Sequence, residues 1–140
     1  MKILIDTNVL IDYAVFREPH TKTAKIIMDK CINEEIEGCL AVHSLLNMFF
    51  ILRKDIPNPD DRRKRLLDFT AFLDVIEVDG TIVIKALNNR NFSDFEDCVQ
   101  SECAVRAGAN YIVTRNVKDY ASSPVKAVTP DDFLNIVQNL

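Results

Sequence analysis

The stretch Lys2-Ile3-Leu4-Ile5-Asp6-Thr7-Asn8-Val9-Leu10-Ile11-Asp12 decides how this chain is read. Its first residues form a short, β-rich apolar run, and Asp6 and Asp12 cut that run before it could serve as a signal peptide or a membrane span. It therefore reads as a strand, Lys2–Asp6, that ends on a carboxylate. Four further runs read the same way: Glu37–Val42, Val75–Val78, Asn110–Thr114 and Val125–Val128. Apolar residues at helical spacing lie between and after them, over Lys22–Asn33, Ser44–Lys54, Asp60–Asp74, Thr81–Asn89, Asp94–Ala107 and Asp131–Gln138. Pro59 and Pro130 near helix starts, Ser93 or Asp94 at an N-cap and Gly108 just past a helix end support these boundaries. Strands alternating with helices build βα units around a parallel sheet, so the expected fold is an α/β three-layer sandwich. Ligands of such sheets sit beyond the carboxyl ends of the strands.

The length, 140 residues, is that of one domain, 1–140, able to remove roughly 68–70% of its unfolded surface from water. A hydrophobic fraction of 48% and a charged fraction of 27% fit a soluble globular protein. The three glycines, Gly38, Gly80 and Gly108, are too far apart for a dinucleotide or P-loop fingerprint. Cys31, Cys39, Cys98 and Cys103 form no CxxC pair and His20 and His43 are the only histidines, so zinc-ligand spacing is absent and reduced, buried thiols are expected. With no leader or span read at the N-terminus, the expected location is cytoplasmic. Acids outnumber bases 21 to 17, which disfavours general phosphate coating. Residues 91–104 hold four of those acids and no base, so that one segment accounts for the net charge of −4.

Asp6 ends the first strand, Asp94 and Asp97 lie three apart on a helix with roughly 5–6 Å between Cβ atoms, and Asp119 sits in a polar turn after the fourth strand. Taken singly, Asp6 or Asp94 could be a helix cap and Asp119 a solvated loop acid. Converging on one sheet edge, the four would repel one another unless a cation neutralised them, and hard oxygen ligands suit Mg²⁺. Such sites activate water for in-line attack on phosphodiesters. A covalent phosphotransferase built on Asp6 would commonly want a second acid two residues on, where this chain has Asn8.

Asp6-Thr7-Asn8-Val9-Leu10-Ile11-Asp12, then Asp94-Phe95-Glu96-Asp97-Cys98, then Tyr111-Ile112-Val113-Thr114-Arg115-Asn116-Val117-Lys118-Asp119-Tyr120 followed by Thr129-Pro130, together resemble the PIN-domain family in order and spacing. The resemblance spans essentially the whole chain and is closest to small bacterial PIN proteins, many of which are the ribonuclease toxins of toxin–antitoxin pairs. It implies a parallel sheet of order 3-2-1-4-5 and a Mg²⁺- or Mn²⁺-dependent ribonuclease site. Asp6, Asp97 and Asp119 match its acidic positions, Asp94 is an added candidate ligand, and Thr7, Ser44, Thr114 and Asn116 match the neighbouring polar positions. Asn47 stands where the family usually has a glutamate. It offers a neutral carbonyl oxygen but no charge, so a catalytically weakened RNA- or protein-binding scaffold is the alternative to an active enzyme.

Arg53–Arg65 holds six bases against three acids, and its Arg62, Arg63 and Arg65 are candidate RNA contacts, with a solvated helix face as the plainer reading. Arg115 and Lys118, close to Asp119 in sequence, are candidates to touch a scissile phosphate or to neutralise the acids. Leu45–Leu52 is nearly apolar all round, which a homodimer, an antitoxin groove or deep intramolecular burial would explain.

Overall fold

Ile3, Leu4 and Ile5 are all fully buried, the mark of a strand at the centre of a sheet covered on both faces. They belong to β1 (Lys2–Ile5) in the computed structural model, which describes residues 1–140. β1 pairs in parallel with β2 (Glu37–Ala41) on one side and β4 (Tyr111–Val113) on the other, and Leu4 lies level with Cys39 and Ile112. β3 (Asp74–Ile76) and β5 (Lys126–Val128) form the edges. The order is β3-β2-β1-β4-β5, all parallel, as the resemblance implies.

Alternation along β1 divides the core. Ile3 and Ile5 join a cluster with α1 (Thr7–Ala14), α2 (Thr21–Ile32), α3 (Val42–Ile51), α4 (Pro59–Phe69) and α7 (Pro130–Gln138). Leu4 faces the other way, onto α5 (Gly80–Asn88), α6 (Phe95–Ala107) and the ring of Tyr120. Gly38 on β2 is required by this packing: a Cβ there would stand 2.5 Å from Leu73 Cδ2 and 2.7 Å from Cys31 Sγ. Gly108 ends α6 in the left-handed conformation, φ +67°, which only glycine adopts without cost. All four cysteines are free and buried. No helix is long and apolar enough to cross a membrane.

One additional helix and one shortened helix depart most from the sequence reading. α1 was not anticipated, because Val9-Leu10-Ile11 is β-branched-rich and eight residues are too few for a helix stable alone. Burial of Val9, Leu10, Ile11 and Ala14 against the sheet forms it. The helix expected over Asp60–Asp74 stops at Phe69, since Leu73 turns into the core beside Gly38 and Asp74 opens β3.

The apolar α3 is only partly covered. Ser44 and Met48 face the interior, whereas Leu46 and Phe50 are 71% and 64% exposed, so deep intramolecular burial does not account for this helix.

Candidate metal centre

Asp6 leaves the carboxyl end of β1 with only 5% of its surface exposed. Its Oδ1 accepts from the Thr7 backbone N–H at 2.7 Å, which starts α1, and its Oδ2 accepts from Thr114 Oγ1 at 2.8 Å and from the Tyr120 hydroxyl at 3.0 Å. Asp6 is thus both a helix cap and a member of a larger site. Asn8 Nδ2 donates to Thr114 Oγ1 at 3.3 Å, and the Asn116 N–H bonds the same hydroxyl at 3.0 Å, fixing the loop after β4.

Asp97 approaches from α6. Asp94 caps that helix by accepting from the Asp97 N–H at 3.1 Å, which leaves Asp97 one turn inside with its carboxylate facing β1. The Tyr120 hydroxyl also lies 3.3 Å from Asp97 Oδ1, so its single proton is shared between carboxylates of two elements. Carboxylate oxygens of Asp94, Glu96 and Asp97 also lie within 4.8 Å of one another. Asp119 is on the exposed side of the 3-10 turn Val117–Tyr120, at the rim, and its charge still reaches Asp97.

The electrostatics follow from burial and like charge. Burial raises the pKa of Asp6 despite the hydrogen bonds from Thr114, Tyr120 and the Thr7 N–H. Asp97 is pushed up to about 7, first by burial and then by Asp94, Asp6, Glu96 and Asp119. Burial and the same two carboxylates raise Tyr120, which keeps its proton as a donor. Glu96 moves the other way, held below the usual carboxylate range by His43, whose Nε2 lies 3.4 Å from Oε1. No lysine or arginine forms an ion pair with Asp6, Asp94, Asp97 or Asp119. The donor set is hard oxygen, no lysine or arginine compensates its charge, and two of its members, Asp6 and Asp97, are raised from their ordinary values. A divalent cation of the Mg²⁺ class fits that chemistry.

Behind the acids lies a polar layer. Thr7 Oγ1 and Ser44 Oγ are 2.8 Å apart, and Gln100 Nε2 donates to both, at 3.2 and 2.8 Å. Ser44 and Gln100 are fully buried, so this trio locks the starts of α1 and α3 to α6. Asn47 stands one turn along α3 from Ser44, half-buried, and its side-chain amide has no hydrogen bond in the chain. Asn116 is exposed, contributing its backbone rather than its amide.

The sequence reading missed Tyr120, Gln100 and Glu96. Glu96 is one of three acids within Asp94–Asp97, a signal the sequence does carry. Nothing in the sequence distinguishes Tyr120 from a core aromatic, or Gln100 from a surface amide, because their partners are remote in the chain.

The basic residues require correction. Arg62 is buried, donates to the Phe49 carbonyl at 2.7 Å and stacks on its ring, so it props α4 against α3 instead of facing solvent. Arg65 donates to the carbonyls of Ala14 and Tyr13 at 3.2 and 3.3 Å and is likewise engaged in packing. Arg115 clamps Asp12 through Nε at 2.7 Å and Nη2 at 3.3 Å, so the acid it neutralises is one that is 1% exposed and none of Asp6, Asp94, Asp97 and Asp119. Arg63 is exposed and pairs with Asp60, and Lys118 is exposed at the rim of the site.

VapBC2 from Rickettsia felis, whose crystal structure was solved with a DNA fragment from the promoter, aligns over 92% of this chain and 98% of its own, with TM-score 0.69 and 14% identity. A toxin–antitoxin complex from Klebsiella pneumoniae aligns over 91% and 97%, with TM-score 0.67 and 20% identity. VapC20 from Mycobacterium tuberculosis, a toxin described as cleaving the sarcin–ricin loop, aligns over 79% and 86%, with TM-score 0.59 and 13% identity. At such identities the likeness is one of fold. Comparison with curated protein sequences finds no match. The sequence pattern of the PIN domain, however, matches residues 2–118, covering the first four strands and the acids Asp6, Asp94 and Asp97. This chain therefore belongs to the PIN domain family.

Proposed function

We propose that this protein is a divalent-metal-dependent endoribonuclease and the toxin of a toxin–antitoxin pair. The observation that carries the first part is the pairing of Asp6 and Asp97, two buried or half-buried carboxylates from different elements, with no basic partner at the strand ends. Asp6 and Asp97 would hold Mg²⁺ or Mn²⁺, with Asp94 and Asp119 at the exposed rim as further ligands or as anchors for bound water. When bound, such an ion neutralises the acids and activates water for in-line attack on a phosphodiester, leaving a 5′-phosphate and a 3′-hydroxyl.

The chain's own groups prepare that site. Thr114 and the Thr7 N–H fix the orientation of the Asp6 carboxylate, and the Thr7–Ser44–Gln100 layer keeps the floor of the site rigid. Asn47 would orient water or substrate through its unpaired amide. Lys118, exposed at the rim, would meet substrate phosphate, with Arg63 farther off on α4. The purified protein should cleave RNA in Mg²⁺ or Mn²⁺, and Asp6→Asn and Asp97→Asn should each abolish cleavage. Cleavage unaltered in both variants would refute the assignment.

The second part rests on the groove between α3 and α4. Leu45, Leu46, Phe49, Leu66 and Leu67 line a cavity of about 410 Å³, with Arg63 at its border. Leu46 and Leu67 are 71% and 67% exposed there, more apolar surface than a solvated helix pair needs. An amphipathic segment of an antitoxin suits this groove, in keeping with the Klebsiella pneumoniae toxin–antitoxin complex among the structural neighbours. A second copy of the chain is the competing occupant.

A further inference from the structure

We propose that Tyr120 is a positioning residue of the candidate metal centre, its single hydroxyl proton shared between one oxygen of Asp6 and one of Asp97, which fixes both carboxylates and leaves the other oxygen of each free for an ion. The inference rests on the metal-site reading above.

Tyr120 is suited to this work by its rigidity. Its ring is buried in the cluster that contains Leu4, Cys98 and Ile112, and its carbonyl accepts from the Ser123 N–H at 2.9 Å. The 3-10 turn sends Tyr120 inward and its neighbour Asp119 outward. A fixed ring gives the hydroxyl a fixed position, 3.0 Å from Asp6 Oδ2 and 3.3 Å from Asp97 Oδ1.

The choice of oxygens is informative. Asp6 Oδ2 already receives Thr114, Tyr120 and, at 3.5 Å, the Asn8 amide, whereas Oδ1 receives only the Thr7 N–H and has a lone pair to spare. Asp97 Oδ2 accepts no hydrogen bond from the chain, Oδ1 alone facing the phenol. The phenol thus shares its proton between one oxygen of each acid, and Asp6 and Asp97 would hold a cation through the lone pairs that remain. It also separates two like charges with a neutral dipole, where a lysine would have neutralised them and displaced the ion. Hydrogen-bond partners of metal-ligating groups typically change metal affinity 10–100-fold when removed.

Tyr120→Phe removes the hydroxyl and keeps the ring. Titration with Mn²⁺, followed by the loss of the free-ion electron paramagnetic resonance signal, should show binding weakened roughly 10–100-fold relative to wild type, with the circular dichroism spectrum unchanged. Unaltered or tighter Mn²⁺ binding in a folded variant overturns the proposal. A second measurement leaves Tyr120 in place: in Tyr13→Phe/Tyr111→Phe, Mn²⁺ or Mg²⁺ should produce a tyrosine difference spectrum that saturates with binding, and a flat difference spectrum at saturating ion overturns the proposal. Failure of the underlying reading looks different. Wild type that binds no ion, or Asp97→Asn that binds as well as wild type, refutes the metal site itself and the role of Tyr120 with it.

Discussion

Asp97→Asn should stabilise the metal-free protein while abolishing its proposed activity, and the size of the gain can be worked from the site. Asp97 is raised from 3.8 to about 7 by burial and four neighbouring acids. A group whose folded pKa lies above its unfolded value stabilises the fold fully only below the unfolded pKa, and that contribution is lost as pH rises through the folded pKa. For Asp97 the loss runs from about pH 4 to about pH 7. The full shift corresponds to about 4 kcal/mol at 1.36 kcal/mol per unit. Asp97 is only half-buried, and solvent screening reduces this to about 2 kcal/mol. Asparagine has nearly the same shape and no charge, so it should be more stable than wild type by about 2 kcal/mol at pH 8 and nearly equal to it at pH 4.

Urea denaturation in the presence of a chelator measures this directly. With a urea slope of about 1–3 kcal/mol/M, the midpoint of Asp97→Asn should exceed that of wild type by about 1 M at pH 8, the gap closing as pH falls. Adding Mg²⁺ or Mn²⁺ should stabilise wild type at pH 8 and leave the variant behind. A variant that tracks wild type at every pH, or is less stable at pH 8, would show that Asp97 carries no electrostatic strain and would remove a main argument for a cation. Sites that store unfavourable charge for function commonly trade stability for activity in this way.

Truncating Arg115 to alanine strands the Asp12 carboxylate, which is 1% exposed, and should cost about 3–5 kcal/mol in urea denaturation, whereas Lys118→Ala should stay within about 0.5 kcal/mol of wild type. A small effect of Arg115→Ala would mean that its pairing with Asp12 is not structural. Asn47→Glu should tighten Mn²⁺ binding measured by titration calorimetry and raise RNA cleavage if the site is only weakened by the missing charge; no gain in either would favour an enzyme adapted to asparagine or a pure binding scaffold. Leu46→Asp combined with Leu67→Asp alters two exposed side chains and should preserve the circular dichroism spectrum while abolishing capture of a co-expressed antitoxin; light scattering of the free protein tells whether self-association is lost instead.

Much of the candidate acidic site is legible in the sequence because its parts are short-range signals. Asp6 is readable as the carboxylate that terminates an apolar strand, and Asp94 and Asp97 as an acidic pair at a helix start. Arg62 and Arg65 misled for the opposite reason. On a helix of such polar sequence they read as solvated bases, and only the arrival of the Phe49 ring and the Ala14 and Tyr13 carbonyls, 13 to 52 positions away in sequence, turns them into packing residues.

The sequence by itself determined the alternation of strand and helix, hence the parallel sheet, and the family motifs implied its order, because hydrophobic period, caps and turn residues act over a few neighbours. Only the tertiary structure decided which oxygens meet. Whether Tyr120 lies in the core or between two carboxylates depends on how a 3-10 turn after β4 packs against α6, and Asp6 is separated from Tyr120 by 114 positions. Such a contact has no local signature, since its energy arises when β1, α6 and that turn converge at the carboxyl edge of the sheet.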